Sequence, residues 1–218
     1  MESEMKKTIF KISCISVMVI TGLSACSGVD KYRENLNTSL SGKEIVSKTC
    51  AACHNSDGNS VSPQFPKLAG QQKDYLLAQL ADFKGHQRSD GDGVQYMWGL
   101  ARLTSVQSNE IADYFSTQKT KSSTVKADSV LVSRGEKIFK EGIASAGVPA
   151  CAACHGERGA GVGEIPRLAG QHAEYMTKQI EIFQKTDQRP RGVAMKAITH
   201  QLSQQDIKDV TAYLSGLD

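Results

Sequence analysis

Two copies of one pentapeptide carry the chemistry of this sequence: Cys50-Ala51-Ala52-Cys53-His54 and Cys151-Ala152-Ala153-Cys154-His155. The C-x-x-C-H pattern reads as c-type haem attachment, because two thiols at this spacing reach both vinyl groups of one porphyrin and the next side chain places an imidazole under the iron. The sequence therefore predicts two covalently bound haem c groups. Cys50 and Cys53 would hold the first, Cys151 and Cys154 the second, with His54 and His155 as axial ligands. Other uses of the thiols fit less well. A thioredoxin-like dithiol wants a βαβ context, and no strand alternation surrounds either copy. A four-thiol zinc site needs both pairs to converge, yet each pair sits at the same place in its own repeat. Disulfides suit an oxidising compartment but leave both histidines unexplained.

The ligand opposite each histidine decides the chemistry: methionine or histidine gives electron transfer, and an open position permits ligand binding. Met176 occupies the helix position held by Leu76 in the first copy, so it reads as core. Met97 and Met195 remain, one per repeat, each in a predicted loop ahead of Leu103 or Leu202. A lone methionine is usually packing; matched placement favours ligation here. Among the histidines, His86 and His172 read as solvent-exposed. His200, between Met195 and Leu202, is the rival ligand in the second copy. Pro66 and Pro166 follow the two histidines, and a carbonyl near each can accept from the imidazole Nδ1–H and fix the ring. A plain turn proline is the alternative.

These residues need elements to position them, and the elements are duplicated. Pro66-Lys67-Leu68-Ala69-Gly70-Gln71 repeats as Pro166-Arg167-Leu168-Ala169-Gly170-Gln171. Tyr75, Leu76, Gln79, Leu80 and Phe83 then match Tyr175, Met176, Gln179, Ile180 and Phe183, a helical face in both copies. Thr104 with Gln107, and Ser203 with Asp206, mark capped starts of a closing helix. Another helix precedes each pentapeptide, at roughly Gly42 to Thr49 and Ser133 to Glu141. The polar stretch Gln118 to Thr124 has no apolar period and reads as a linker. The expected fold is all-α, two tandem units from one duplication. With 39% hydrophobic residues, neither unit has aliphatics to spare, so haem volume is expected to complete each core.

The N-terminus looks like a targeting segment. Lys6, Lys7 and Lys11 precede an apolar run from Ile12 to Leu23, too short to span a bilayer. Met5 is a second possible start. Leu23-Ser24-Ala25-Cys26 resembles the lipobox of bacterial lipoproteins, which implies cleavage before Cys26 and its lipidation; Ser27 at the next position implies the outer membrane. A simple secretory peptide with a cysteine at its cleavage site is the competing reading, and Cys14 falls inside this segment. The chain thus divides into a signal peptide (1–25), a tether (26–40), domain 1 (41–117), a linker (118–128) and domain 2 (129–218). A net charge of +3 with charges well mixed gives no basic block for nucleic acid.

The paired C-A-A-C-H motifs, Val148-Pro149-Ala150, the two Leu-Ala-Gly-Gln segments and the insertion Gly142 to Gly147 together resemble the cytochrome c4 family. The resemblance runs from about Gly42 to Leu217. It implies two class I cytochrome c domains facing each other about a pseudo-twofold axis, and a periplasmic electron carrier, membrane-associated, working toward a terminal oxidase or reductase. It also places Met97 and Met195 where that family's second axial ligands fall. Tyr96-Met97-Trp98 is bulkier than the pattern, so the first pocket is expected to differ. No catalysis and no small-molecule substrate are expected; the partners would be redox proteins and, through Cys26, a membrane. A haem subunit of a larger oxidoreductase is the alternative, and a di-haem peroxidase a more distant one. Arg158, Arg167, Arg189, Arg191 and Lys196 make the second half mildly more basic, which reads as an ordinary solvated surface, with a docking face for an acidic partner as the alternative.

Overall fold

Each predicted capping pair closes. Thr104 Oγ1 accepts from Gln107 N while the Gln107 side chain accepts from Thr104 N; Ser203 and Asp206 do the same, and so do Ser41 and Glu44, which the sequence reading passed over. These caps satisfy orphan amides at three helix starts. The computed structural model describes residues 39–122 and 127–218; Cys14 and Cys26 lie outside them. In the first domain, α1 (Gly42–Ile45) runs through a wider turn, Val46–Cys50, into α2 (Ala51–His54), followed by α3 (Lys73–Lys84) and α4 (Ser105–Ser116). The second domain has α5 (Ser129–Glu141), α6 (Ala152–His155), α7 (Ala173–Lys185), α8 (Val193–Thr199) and α9 (Gln204–Ser215). No strand forms among the described residues, only two isolated bridges.

Two sequence expectations shift. The helix before the first pentapeptide does not stop at Thr49 but carries on to His54, since nothing there breaks it. The one before the second starts at Ser129 rather than Ser133, capped by the Asp128 side chain on Val130 N. Only the second domain separates its first helix from C-x-x-C-H. There Gly142, at φ +74°, turns the chain into a loop closed by the Ile143–Val148 bridge. Any Cβ at Gly142 would meet the Val148 carbonyl, so the turn needs glycine.

The first and last helices of each domain cross to build its core. Ile45, Val46, Leu76, Leu103, Ile111 and Phe115 cluster in the first; Ile138, Phe139, Met176, Ile207, Val210 and Leu214 cluster in the second. Met176 is core, as its position predicted. The duplication extends to main-chain bonds. The Gly58 carbonyl accepts from Leu68 and Ala69 at 2.7 and 3.1 Å, and the Gly159 carbonyl from Leu168 and Ala169 at the same distances. Gly70 N donates to Phe115 O, and Gly170 N to Leu214 O, both at 2.9 Å. The Leu-Ala-Gly-Gln segment thereby ties the haem-motif loop to the closing helix. Residues 40–218 form one unit.

The helix crossing of the second domain depends on Gly135. A Cβ there would overlap the Asp209 carbonyl group of α9 and press on Tyr213 Cβ. Backbone cannot yield as a side-chain tip can. Gly135→Ala is therefore expected to cost about 3 kcal/mol in overpacking, against about 1 kcal/mol gained in helix propensity. Guanidinium unfolding of the holoprotein should show a net loss of about 2 kcal/mol; an unchanged midpoint would contradict this close approach.

Candidate functional site

The two C-x-x-C-H segments are each a single helical turn, so the histidine follows its second cysteine on a rigid path. Cys50, Cys53, Cys151 and Cys154 are free thiols, with no disulfide among the described residues. Burial pushes both Cys50 and Cys151 up to about 11. A thiol so shifted keeps its proton at neutral pH and is a weak nucleophile.

The imidazoles are buried and held. His54 Nδ1 lies 2.8 Å from the Pro66 carbonyl, and His155 Nδ1 lies 3.0 Å from the Pro166 carbonyl. A carbonyl only accepts, so Nδ1 is the protonated nitrogen and Nε2 keeps its lone pair for a metal. Among the described residues the hydrogen bonds of both rings run through Nδ1. Burial lowers the proton affinity of both rings, more than the Pro carbonyls restore it. Of the two readings of the prolines, the carbonyl acceptor is the observed one.

Met97 and Met195 are half-buried, but neither stands in a loop. Met97 ends the wide turn Gly93–Met97, and Met195 lies in α8. The sequence lacked a visible helix signal there because the segments are only one or two turns long. His200 is exposed, its Nδ1 facing the Ala197 carbonyl at 2.7 Å. His86 is exposed as expected and stacks on Trp98 with centroids 4.1 Å apart. His172 departs from expectation. It is half-buried, with Nε2 within 2.9 Å of Ser60 Oγ and 3.0 Å of the Ser60 carbonyl. It replaces Gln72, whose Nε2 donates to the Ala160 carbonyl; either side chain can bridge to the other domain.

The first pocket does differ from the second. Phe65 packs edge-on against both His54 and Tyr96, and Tyr96 OH accepts from Gln64. Ile165 and Ala194 stand near the equivalent places in the second copy.

What sequence reasoning missed is the seam between the domains. Gln71 Oε1 accepts from Arg167 N at 2.7 Å and Gln71 Nε2 donates to Arg167 O at 3.0 Å. Gln171 does the same to Lys67, at 2.8 and 2.9 Å. Arg88 is buried on Asp90 (2.7 Å), Gln79 (2.8 Å) and, across the seam, Gln179 (3.1 Å). Arg189 answers it, donating to Gln79 and Tyr75 of the first domain at 2.9 and 3.1 Å. Burial alone would weaken the Arg88 charge, but Tyr175, Asp90 and Tyr75 outweigh it and raise its proton affinity. Of Arg158, Arg167, Arg189, Arg191 and Lys196, two are turned inward. Arg189 and Arg191 bond across the seam, Arg191 to Asp82 at 2.9 Å, and the Arg167 main chain is captured by Gln71. Lys196 pairs with Asp187. Residues 119–121 are also held: Asn59 donates to the Lys119 carbonyl and accepts from Lys121 N.

The donor set fits a haem in each domain. Each offers two thiols one helical turn apart, a lone-pair Nε2 and a half-buried thioether. Among the described residues the seam adds one buried donor without a partner, Gln179 Nε2, and a cation, Arg189, whose hydrogen bonds there go to neutral groups. Both suit carboxylates such as a haem's propionates.

A helical protein with this site twice over is a di-haem c-type cytochrome. The Cytochrome c family model matches residues 39–119 and 132–218. Cytochrome c4 of Pseudomonas aeruginosa is 36% identical over 213 residues, covering 94% of this chain and 97% of that protein. The crystal structure of reduced recombinant cytochrome c4 from Pseudomonas stutzeri superposes with a TM-score of 0.73 at 38% identity, over 81% of this chain and 97% of that one. A protein of Thiomonas intermedia named thiosulfate dehydrogenase electron acceptor is 33% identical over 62% of each chain. The chain belongs to the cytochrome c4 family: it is an electron-transfer cytochrome carrying two covalently bound haem c groups.

Proposed function

We propose that this protein takes single electrons from one redox protein and passes them to another outside the cytoplasm, while tethered to a membrane through a lipidated Cys26. In this reading Cys50, Cys53, Cys151 and Cys154 form the thioethers, His54 and His155 ligate one face of each iron, and Met97 and Met195 the other. When bound, each haem supplies a one-electron iron couple. The residues do the rest: Pro66 and Pro166 orient the imidazoles and neutral thioethers favour the reduced state. The observation that carries the reading is the repeated His Nδ1–Pro carbonyl pair on two halves joined by a bonded seam. A carrier of two electrons in fixed relation needs both. The tether and an outer-membrane location rest on the sequence Leu23 to Ser27 alone, and a respiratory oxidase or reductase is the expected acceptor.

A second reading has one specific support. The relative named as an electron acceptor of thiosulfate dehydrogenase suggests service to one enzyme, as a fixed or frequent partner. Protein matured in an exporting bacterium separates these ideas. Its mass should give two haems per chain and an acylated N-terminal cysteine, its titration two one-electron waves, and its spectrum the weak far-red band of methionine–iron bonding. Fewer than two haems, or no such band, overturns the site assignment. Reduction by a single dehydrogenase-type partner, with no exchange with other redox proteins, favours the second reading.

A further inference from the structure

The crossed glutamines touch the same peptide units that hold the histidines. The Pro66 carbonyl accepts from His54, and the N–H of that very peptide belongs to Lys67 and donates to Gln171 Oε1 at 2.8 Å. Likewise the Pro166 carbonyl accepts from His155, and its peptide N–H, on Arg167, donates to Gln71 Oε1 at 2.7 Å. Each glutamine is buried and pinned by its own next amide, Gln72 N at 2.9 Å and His172 N at 3.0 Å. We propose that Gln171 and Gln71 are positioning residues through which each domain sets the reduction potential of the haem in the other.

The physical step is amide polarisation. An acceptor on the N–H of a peptide shifts electron density onto its carbonyl oxygen, so hydrogen bonds along one chain strengthen each other. A stronger Pro66 acceptor pulls the Nδ1 proton of His54, makes the imidazole more anionic and stabilises the oxidised iron. Gln171 therefore lowers the potential of the first haem, and Gln71 that of the second. The second bond of each glutamine, from Nε2 to the Lys67 or Arg167 carbonyl at 2.9 or 3.0 Å, keeps the amide facing its peptide. Any motion that parts the seam would raise both potentials together, linking docking to driving force.

The proposal rests on His54 and His155 being the axial ligands. The test uses the full holoprotein with Gln171→Met and Gln71→Met, near-isosteric and without an acceptor oxygen. Gln171→Met should raise the first haem's potential, with its reduction constant growing roughly threefold, the scale of part of one hydrogen bond. The second haem should stay still. Gln71→Met should give the mirror result. In the reduced protein the His54 Nδ1–H resonance should move as for a weakened hydrogen bond in Gln171→Met, while that of His155 holds. A shift confined to the variant's own domain, equal shifts at both haems, or none, overturns the proposal. Haem count and ligand-field spectra of the same samples test the ligation separately, and stay those of two six-coordinate haems whether or not the crossed shift is seen. If neither variant matures, the Lys67 and Arg167 amides of the unaltered protein must still be protected from exchange; rapid exchange at either overturns the idea.

Discussion

Replacing Met195 with alanine lowers the potential of the second haem by on the order of a few hundred millivolts, a sizeable part of the ~0.8 V that axial ligands span. It also leaves that iron open to carbon monoxide and cyanide, while the first haem keeps its potential. Met97→Ala does the mirror image. Under the proposed ligation, loss of a neutral, soft thioether removes the ligand that favours the reduced state. The chain offers few substitutes: His200 is exposed and turned to the Ala197 carbonyl, and Met176 is locked in the core. The two variants should differ in degree. Next to Met97 in sequence, Tyr96 packs on Phe65, which packs in turn on His54, whereas Met195 sits in a short helix preceded by Ala194. Small ligands should enter the second site faster. Potentiometry and carbon monoxide difference spectra check both points; unchanged potentials in either variant would mean that another residue ligates that iron.

The chemistry was legible in the sequence because covalent haem attachment demands residues next to one another, and adjacency is what a sequence displays. Cys50 to His54 and Cys151 to His155 needed no fold to be read. The repeated helices were legible for a similar reason, since Thr104 with Gln107 and Ser203 with Asp206 are local bonds that form as written. The seam was not. Gln171 meets Lys67, and Arg189 meets Tyr75 and Gln79, through separations of a hundred residues or so, and no local period encodes them. One signal was present all the same. Gln79 and Gln179 stand at the same position on an otherwise apolar face in both copies, and a polar residue repeated there asks for a buried partner. Of the arginines that answer them, Arg189 reads in the sequence as part of a basic surface, and nothing local marks Arg88 as buried. His172 misled for the same reason: a histidine at a helix start looks exposed until the other domain covers it. Residues 119–121 read only as a linker because their bonds go to main-chain and side-chain groups of both domains, Asn59 and Arg167 among them.

Arg88→Met should be among the most destabilising single changes short of losing haem, at roughly 3–5 kcal/mol, because it strands a buried carboxylate. Asp90 has no solvent exposure, and its side-chain bonds run to Arg88. Burial pushes its carboxyl up, but the Arg88 hydrogen bond and charge, with Arg189 behind them, prevail and hold it below the ordinary value near 3.8. The same guanidinium also bonds Gln79, Gln179 and Tyr175, so its loss loosens both domains at once. The sign of the pH dependence follows. In the natural protein the folded carboxyl binds its proton more weakly than the unfolded one. Its contribution is complete above about 3.8 and disappears only as pH falls through the lower folded value. In Arg88→Met the folded carboxyl binds its proton more tightly than the unfolded one, so the penalty is complete at neutral pH and shrinks on acidification. The gap between the two proteins should be widest near pH 7 and close steadily in acid, as read by guanidinium unfolding. Adding Asp90→Asn should recover most of the loss, since a buried ion pair replaced on both sides costs far less than one broken on one side. A gap that stays constant with pH, or a double variant no more stable than Arg88→Met, would show that packing at the seam rather than the stranded charge sets the cost.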